Sequence, residues 1–489
     1  MRMSQTIDTG TNSHSAAQAG ILLKPAGPSP APILGWLLHD RQLWRDPIAY
    51  LVSLYEEYGV MSSHGSGPPR CVFSFAPECN KRLAEESDLF HWVGRRQRIA
   101  AAARIGSDSM LDLIRANIFT TWGDEYKRRA ALIRPAFHHS WLNQWRDTMV
   151  AETEQAVTTW RSGEVRNVHS ELNKLIHTIA MKSVLGLEDE RLIDRIYLLE
   201  TKVPRESFGT TLLPYDLPGT TYRRFIRSTT EIVAILRDVV ARKRSQSGEA
   251  TDMMGALVSA RTEQGVGLSD IELVAEAYNL MHHSTTMSAL MWTLILILQH
   301  PALHANLVDD LTGLLKGEAP TMQDLEQLPL LDHVVKESLR LLPPAAFGRR
   351  FTTDSCSFGA HELPAWVPII FSSYITHRLP SIFPEPQRFR PSRWEQTRPT
   401  MNEYFPLGAR VRHCVGGMFA TIEIKIVLAI LLQRFQLQIV PRQRIDRKPR
   451  CMTLLQPNGA IHMKVSAPQN RKFHRAAITG NLREMVDFP

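Results

Sequence analysis

The sequence predicts one large, mainly α-helical domain with a small β region. Helical periodicity runs through most of the chain after residue 76. Strand-like pieces are short and confined to residues 60–75 and to a proline-rich stretch, 343–391. No internal repeat or composition break divides the chain. At 489 residues, 44% hydrophobic and 22% charged, it has ordinary globular composition, and its size allows a core that buries a cofactor.

The elements follow in order. Residues 1–20 are polar and read as a disordered tail, and Pro25 to Pro32 as a stiff proline-rich lead-in. An amphipathic helix is expected from Asp46 to Glu57, ended by Gly59. Strands at Val60–Ser63 and Cys71–Phe75 flank the turn from His64 to Pro69. Long helices are expected around 143–162, 170–187, 221–244 and 270–300. The last opens on the capping box Ser269–Glu272, and Pro301 stops it or opens the next helix. Thirty residues at 1.5 Å each reach about 45 Å. A helix that long and apolar on more than one face must be central. Val367–Phe371 reads as a strand, and an irregular meander follows it. The main domain is expected over 21–468, with a C-terminal tail at 469–489.

A net charge of +8 is compatible with an acidic protein, an anionic membrane or nucleic acid, and composition does not choose. Five cysteines, at 71, 79, 356, 414 and 451, are scattered and include no C-x-x-C pair. That excludes a disulfide framework or a thiolate zinc site as the organising feature and points to a reducing compartment. The first residues lack the apolar core of a signal peptide. The longest apolar run, Ala289 to Leu298, is about half of what spans a bilayer. A cytoplasmic protein without a transmembrane anchor is expected.

Cys414 stands in a distinctive setting, Phe405-Pro-Leu-Gly-Ala-Arg-Val-Arg-His-Cys414-Val-Gly-Gly417, just before a helix running to about Phe435. Helix-start N–H groups and Arg412 are expected to depress its thiol pKa and favour a thiolate ligand. Gly416 and Gly417 remove side chains where a flat macrocycle could approach the backbone. A buried structural cysteine is the plainer alternative.

This segment resembles the haem-binding loop of cytochromes P-450: Phe405-Pro-x-Gly408, Arg412-x-Cys414-x-Gly416, then Ala420-x-x-Glu423. The family's phenylalanine falls on Leu407, and its glycine falls on Arg410. Glu337-Ser-Leu-Arg340 resembles the family's E-x-x-R. Spacing of i, i+3 sets that pair on one helix face, though such a pair alone more often decorates solvated surface. Pro386-Gln-Arg388-Phe389, after His377-Arg-x-Pro380, resembles the meander whose arginine completes a Glu–Arg–Arg triad. The resemblance therefore implies a buried cluster of Glu337, Arg340 and Arg388 bracing the cysteine loop.

Met281-His-His-Ser-Thr285-Thr286 aligns with the family's Ala/Gly-Gly-x-Asp/Glu-Thr-Thr. Thr285 falls on the threonine that relays protons to bound oxygen, with a backbone hydrogen bond as its plainer role. Ser284 occupies the acid position and His282 the glycine position, so the relay must use water, His283, the substrate or nothing. Adjacent histidines point about 100° apart on a helix, which disfavours a metal held by His282 and His283. Tyr126 occupies the family's propionate-binding tryptophan position and Ala130 its arginine position, with Arg129 a possible substitute. Arg349 looks like the other propionate arginine, with Arg350 a close rival. Lys127, Arg128 and Arg129 are either solvated surface or part of a basic face for an acidic electron donor.

The resemblance implies a haem b monooxygenase with Cys414 on the iron and Leu407, Gly416, Arg412, Tyr126 and Arg349 around the macrocycle. It implies dioxygen, an apolar small-molecule substrate such as a lipid, terpenoid or other secondary metabolite, a separate ferredoxin or flavodoxin donor, and no nucleic acid. Substrate contacts would come from about 90–115, 205–215, 278–286 and Ala345–Gly348. Ser284 in place of the acid also admits an isomerase, a dehydratase or a coupling enzyme that inserts no oxygen.

Overall fold

The computed structural model describes residues 25–489 except 33, 66–67, 93–115, 139–140, 211–216, 247–249, 449–452 and 471–472, with backbone alone at 204–210 and 470. The N-terminal tail, residues 93–115 of one expected substrate segment and 211–215 of the other lie outside the described residues.

Helices α1 (Leu37–Arg45) and α2 (Pro47–Tyr58) lead into strands β1 (Met61–His64) and β2 (Cys71–Ser74), as local sequence dictates. The Asp46 carboxylate accepts from the Ala49 N–H at 3.0 Å, and Pro47 takes the first helical position. Gly59 ends the helix at φ +77°. Helix α3 (Pro77–Glu85) and strand β3 (Phe90–His91) follow.

Three small sheets form. The largest combines the first three strands with β5 (Gly348–Thr352) and β8 (Pro368–Phe371) in the order β1-β2-β8-β5-β3. Only β2 and β8 run parallel within it. Strands β4 (Val165–Asn167), β9 (Gln436–Ile439) and β10 (His462–Ser466) make a second sheet, ordered β4-β10-β9. Strands β6 (Cys356–Phe358) and β7 (His361–Leu363) pair as a hairpin.

The rest is helical. In order come α4 (Gly123–Ile133), α5 (Leu142–Val157), α6 (Val168–Leu185), α7 (Glu190–Thr210) and α8 (Thr221–Ser245). Then follow α9 (Met253–Ser259), α10 (Asp270–Leu280), α11 (Ser284–Leu298), α12 (Pro301–Leu315) and α13 (Met322–Glu326). The last four are α14 (Pro329–Leu341), α15 (Ser373–Thr376), α16 (Gly417–Arg434) and α17 (Leu482–Met485). Helix α11 is buried at every position from Met287 to Leu298 and packs against α14 and α16. A helix apolar on all sides can satisfy itself only there. Pro301 opens α12 after a bend of 109°.

The helix expected over 270–300 is interrupted at 281–283, separating α10 from α11. Imidazole competition accounts for the break. His282 Nδ1 lies 2.6 Å from the Tyr278 carbonyl, the acceptor its own amide would use in a continuous helix. That amide turns to Asn279 O instead, at 3.4 Å. A side chain inserted into the i→i−4 ladder is a recognised cause of a break.

The end of the chain is anchored in the main core. Ile478, Leu482, Met485 and Val486 are buried within it. The Arg378 guanidinium donates to Met485 O at 3.0 Å, and the Asp487 N–H to Gln387 O at 3.0 Å. Among the described residues, no single helix is long and apolar enough to cross a membrane.

Candidate active site

The cysteine loop is a tight structure between the meander and α16. Gly408 has φ +77°, and a Cβ there would stand 2.8 Å from the Arg412 carbonyl, so only glycine fits. Arg410, at the family's glycine position, also takes a left-handed φ of +50°. The turn is therefore made with an arginine, at a cost of about 1–2 kcal/mol in backbone strain. Its guanidinium meets Glu85 at 2.8 Å. The Cys414 N–H closes the loop on Leu407 O at 2.8 Å. A Cβ on Gly417 would meet Leu407 Cδ1 at 3.0 Å, so Leu407 packs against the helix start.

The Cys414 thiol is reachable by solvent yet densely ringed by protein. Burial pushes its pKa up, and the Gly416 N–H offsets only part of that. This reverses the expected depression. Arg412 does not act on the sulfur, because it lies 3.7 Å over the Tyr126 ring and donates to Thr121 O at 2.7 Å. A deprotonated sulfur at this position requires the charge of a bound metal.

Glu337 forms the centre of a buried ionic cluster. Arg340 grips it in a fork, Nε to Oε2 and Nη2 to Oε1, both at 2.9 Å. The second arginine is Arg393, whose Nε reaches Oε1 at 2.8 Å. Arg388, expected in that role, is not part of the cluster. Its side chain is 61% exposed and pairs with Glu385. Only its backbone carbonyl contributes, accepting from Arg340 at 3.2 Å. The 3-10 turn Pro391–Glu395 carries Arg393 and Trp394 back over α14, whereas Arg388 sits on the outer edge of the meander. The Trp394 indole N–H and the Arg390 amide complete the carboxylate, each at 3.0 Å. Burial pushes the Glu337 carboxyl up, but Arg340, Arg393 and the Arg390 N–H outweigh it and hold it below the usual range.

His377, which carried no role at the sequence level, links this cluster to the cysteine loop. Its carbonyl accepts from Arg340 at 2.9 Å, and its Nε2 accepts the Phe405 N–H at 2.9 Å. Burial and Arg340 keep the ring well below its ordinary pKa, hence neutral and able to accept. Only the fold could disclose a strut spanning residues 340, 377 and 405.

A second group gathers cations. Alternation along β5 turns Arg350 inward and leaves Arg349 exposed, so the rival residue and not Arg349 faces the interior. Arg350 lies 4.5 Å from the Trp92 ring and 5.3 Å from the Phe371 ring. Burial, followed by Arg412, lowers its pKa to about 9, with Tyr126 acting the other way. Among the described residues no carboxylate pairs with Arg350 or Arg412. One buried and one half-buried guanidinium without an acid are a site for an external carboxylate. Tyr126 does not offer its hydroxyl there, since it donates to Val411 O and ties α4 to the cysteine loop. Arg129 is occupied by Glu125 and Glu272, at 2.6 and 2.9 Å. Lys127 and Arg128 are also paired with acids, so this cluster is no free basic face. A loop presenting one thiol, a glycine-cleared helix start and two acid-free guanidiniums fit an iron porphyrin with its propionates.

On α11, Thr285 is exposed at the second helical position and makes no back-bond, unlike Ser288, which donates to Ser284 O at 2.7 Å. Ser284 is half-buried. On α10, before the break, Glu276 is fully buried and accepts the Ile118 N–H at 2.8 Å. Burial raises its pKa to about 7.

The cytochrome P450 family model matches residues 25–465. Cyclooctatin synthase from Streptomyces melanosporofaciens is 28% identical, over 92% of this chain and 95% of that protein. Cyclooctat-9-en-7-ol 5-monooxygenase from the same organism is 26% identical, over 85% and 89%. Pentalenene oxygenase from Streptomyces avermitilis is 25% identical, over 85% and 91%. The fold matches that of the retinoic acid-bound cyanobacterial CYP120A1 with a TM-score of 0.76, at 22% identity over 91% of this chain and all of that one. The chain belongs to the cytochrome P450 family and is a haem-dependent monooxygenase of that family.

Proposed function

We propose that this chain oxidises an apolar terpenoid, with Cys414 as the residue whose sulfur would hold the haem iron. The observation that supports the ligand assignment is the single Cys414 thiol on a loop closed by its own backbone N–H to Leu407 O at 2.8 Å, together with two acid-free guanidiniums. When bound, a thiolate-ligated haem supplies dioxygen activation. Arg350 and Arg412 would hold its propionates. Glu337, Arg340 and Arg393 fix the meander, and His377 transmits that rigidity to the loop. Thr285, whose hydroxyl is not spent on the backbone, holds and passes protons on the oxygen side, with Ser284 beside it. The terpenoid class is supported by the names of the cyclooctatin and pentalenene enzymes. Electrons come from a separate ferredoxin or flavodoxin, and the +8 charge suits an acidic donor.

Reduction under carbon monoxide tests the ligand. The purified protein should show the red-shifted band of thiolate ligation, and Cys414→Ala should lack it. Turnover with a surrogate reductase and labelled oxygen tests the chemistry. Label in the product supports monooxygenation of a terpenoid, and turnover without label opposes it.

A further inference from the structure

Three ligand-type side chains meet where the helix break faces its neighbours: His177 on α6, Glu200 on α7, and His283, which caps α11. One candidate ligand atom from each lies within 4.8 Å of the others. His177 is fully buried, and the Glu200 side chain is 12% exposed.

Hydrogen bonding identifies the available atoms. His177 Nε2 lies 3.1 Å from Ile193 O, and His283 Nδ1 lies 3.1 Å from Met281 O. Each ring therefore donates one N–H to a backbone carbonyl and keeps a lone pair on its other nitrogen. That anchoring is the one metal-bound histidines use. Burial lowers the His283 pKa to about 4, against the pull of Glu200, so its lone pair is free at neutral pH.

The contact between the other two members is incomplete. His177 Nδ1 and Glu200 Oε2 stand 3.0 Å apart. Neither has an aligned hydrogen-bond partner, and both atoms are buried. Two buried acceptors side by side carry a desolvation cost that a shared cation removes. Zinc-class bonds of about 2.0–2.1 Å put tetrahedral ligands about 3.3 Å apart, close to the 3.0 Å observed. No separation exceeds 4.8 Å, so the closure needed is at most roughly 1.5 Å. His283 sits at a helix break, not inside a helix, so its ring can make that move.

We propose that His177, Glu200 and His283 form a site for one divalent transition-metal ion of the zinc class, with water as fourth ligand, separate from the haem iron. Bound there, the ion joins α6 and α7 to the 281–283 break. This goes beyond the oxidation chemistry and does not depend on it. The competing occupant is a proton, making His177 an imidazolium paired with Glu200, and it entails no metal uptake.

The test uses the haem-loaded enzyme, stripped with a chelator and then exposed to micromolar zinc. Elemental analysis should give one zinc per haem after gel filtration, with a raised melting temperature. Glu200→Gln and His177→Gln should each weaken uptake by about tenfold or more, while His282→Gln should not. X-ray absorption at the zinc edge of the wild-type enzyme should show nitrogen and oxygen donors only. No uptake by wild type, equal uptake by Glu200→Gln, or sulfur scattering at the zinc edge overturns the site. The carbon monoxide band reports Cys414 separately, so its persistence assigns any failure to this site alone.

Discussion

The Glu337 cluster and the 281–283 break with the start of α11 lie next to each other, yet they handle buried polarity in opposite ways. In the cluster every oxygen of Glu337 is bonded to Arg340, Arg393, Trp394 or the Arg390 amide. At the break, Thr285 is without a back-bond and the nearby His177 and Glu200 atoms lack aligned partners. A saturated network fixes one geometry, whereas unsatisfied groups are available to bind or transfer something. The difference separates the scaffold of this enzyme from its reactive side.

The largest test of the contrast is Glu337→Ala. It leaves two buried guanidiniums unpaired and should cost about 3–5 kcal/mol, enough to prevent haem incorporation. Arg393→Ala should behave alike, while Arg388→Ala should change stability by no more than about 0.5 kcal/mol. Equal losses for the two arginines, measured by denaturant unfolding, would return Arg388 to the cluster.

Glu276→Gln comes next. A carboxyl raised to about 7 folds well when protonated and opposes folding as pH rises from the unfolded value near 4.5 through 7. The variant should therefore melt higher than wild type at pH 8, by about 1–3 kcal/mol in stability, and match it at pH 4. A pH-independent difference would refute the shift. Thr285→Ala should leave the fold intact and raise peroxide release per NADPH several-fold, and unchanged coupling would move the relay elsewhere. Smallest is Arg410→Gly, which relieves left-handed strain of about 1 kcal/mol and loses a half-exposed ion pair. A net gain of a few tenths of a kcal/mol is expected, and a large loss would show that the Glu85 contact governs.

The elements that local chemistry fixes could be read from sequence: Asp46 and Gly59 around α2, the β1–β2 pair, and the Cys414 loop before α16. Glu337 and Arg340 were legible because they share a helix face. Arg393 was not, because a 3-10 turn decides which meander arginine points inward. Arg350 replaced Arg349 for a similar reason, since strand register selects between adjacent residues. The thiol shift had the wrong sign because the helix start is visible in sequence and the depth of burial is not. The break at 281–283 was missed because the His282 imidazole, rather than a glycine, opens the helix.

The anchored C-terminus has a consequence at long range. Met485 and Asp487 clamp Arg378 and Gln387, and the adjoining carbonyls of Pro386 and Arg388 hold Arg340. A protease trimming the last few residues would thus unseat the meander from its far side. Such clipping should be felt as weakened haem retention, although no residue around the iron had been touched.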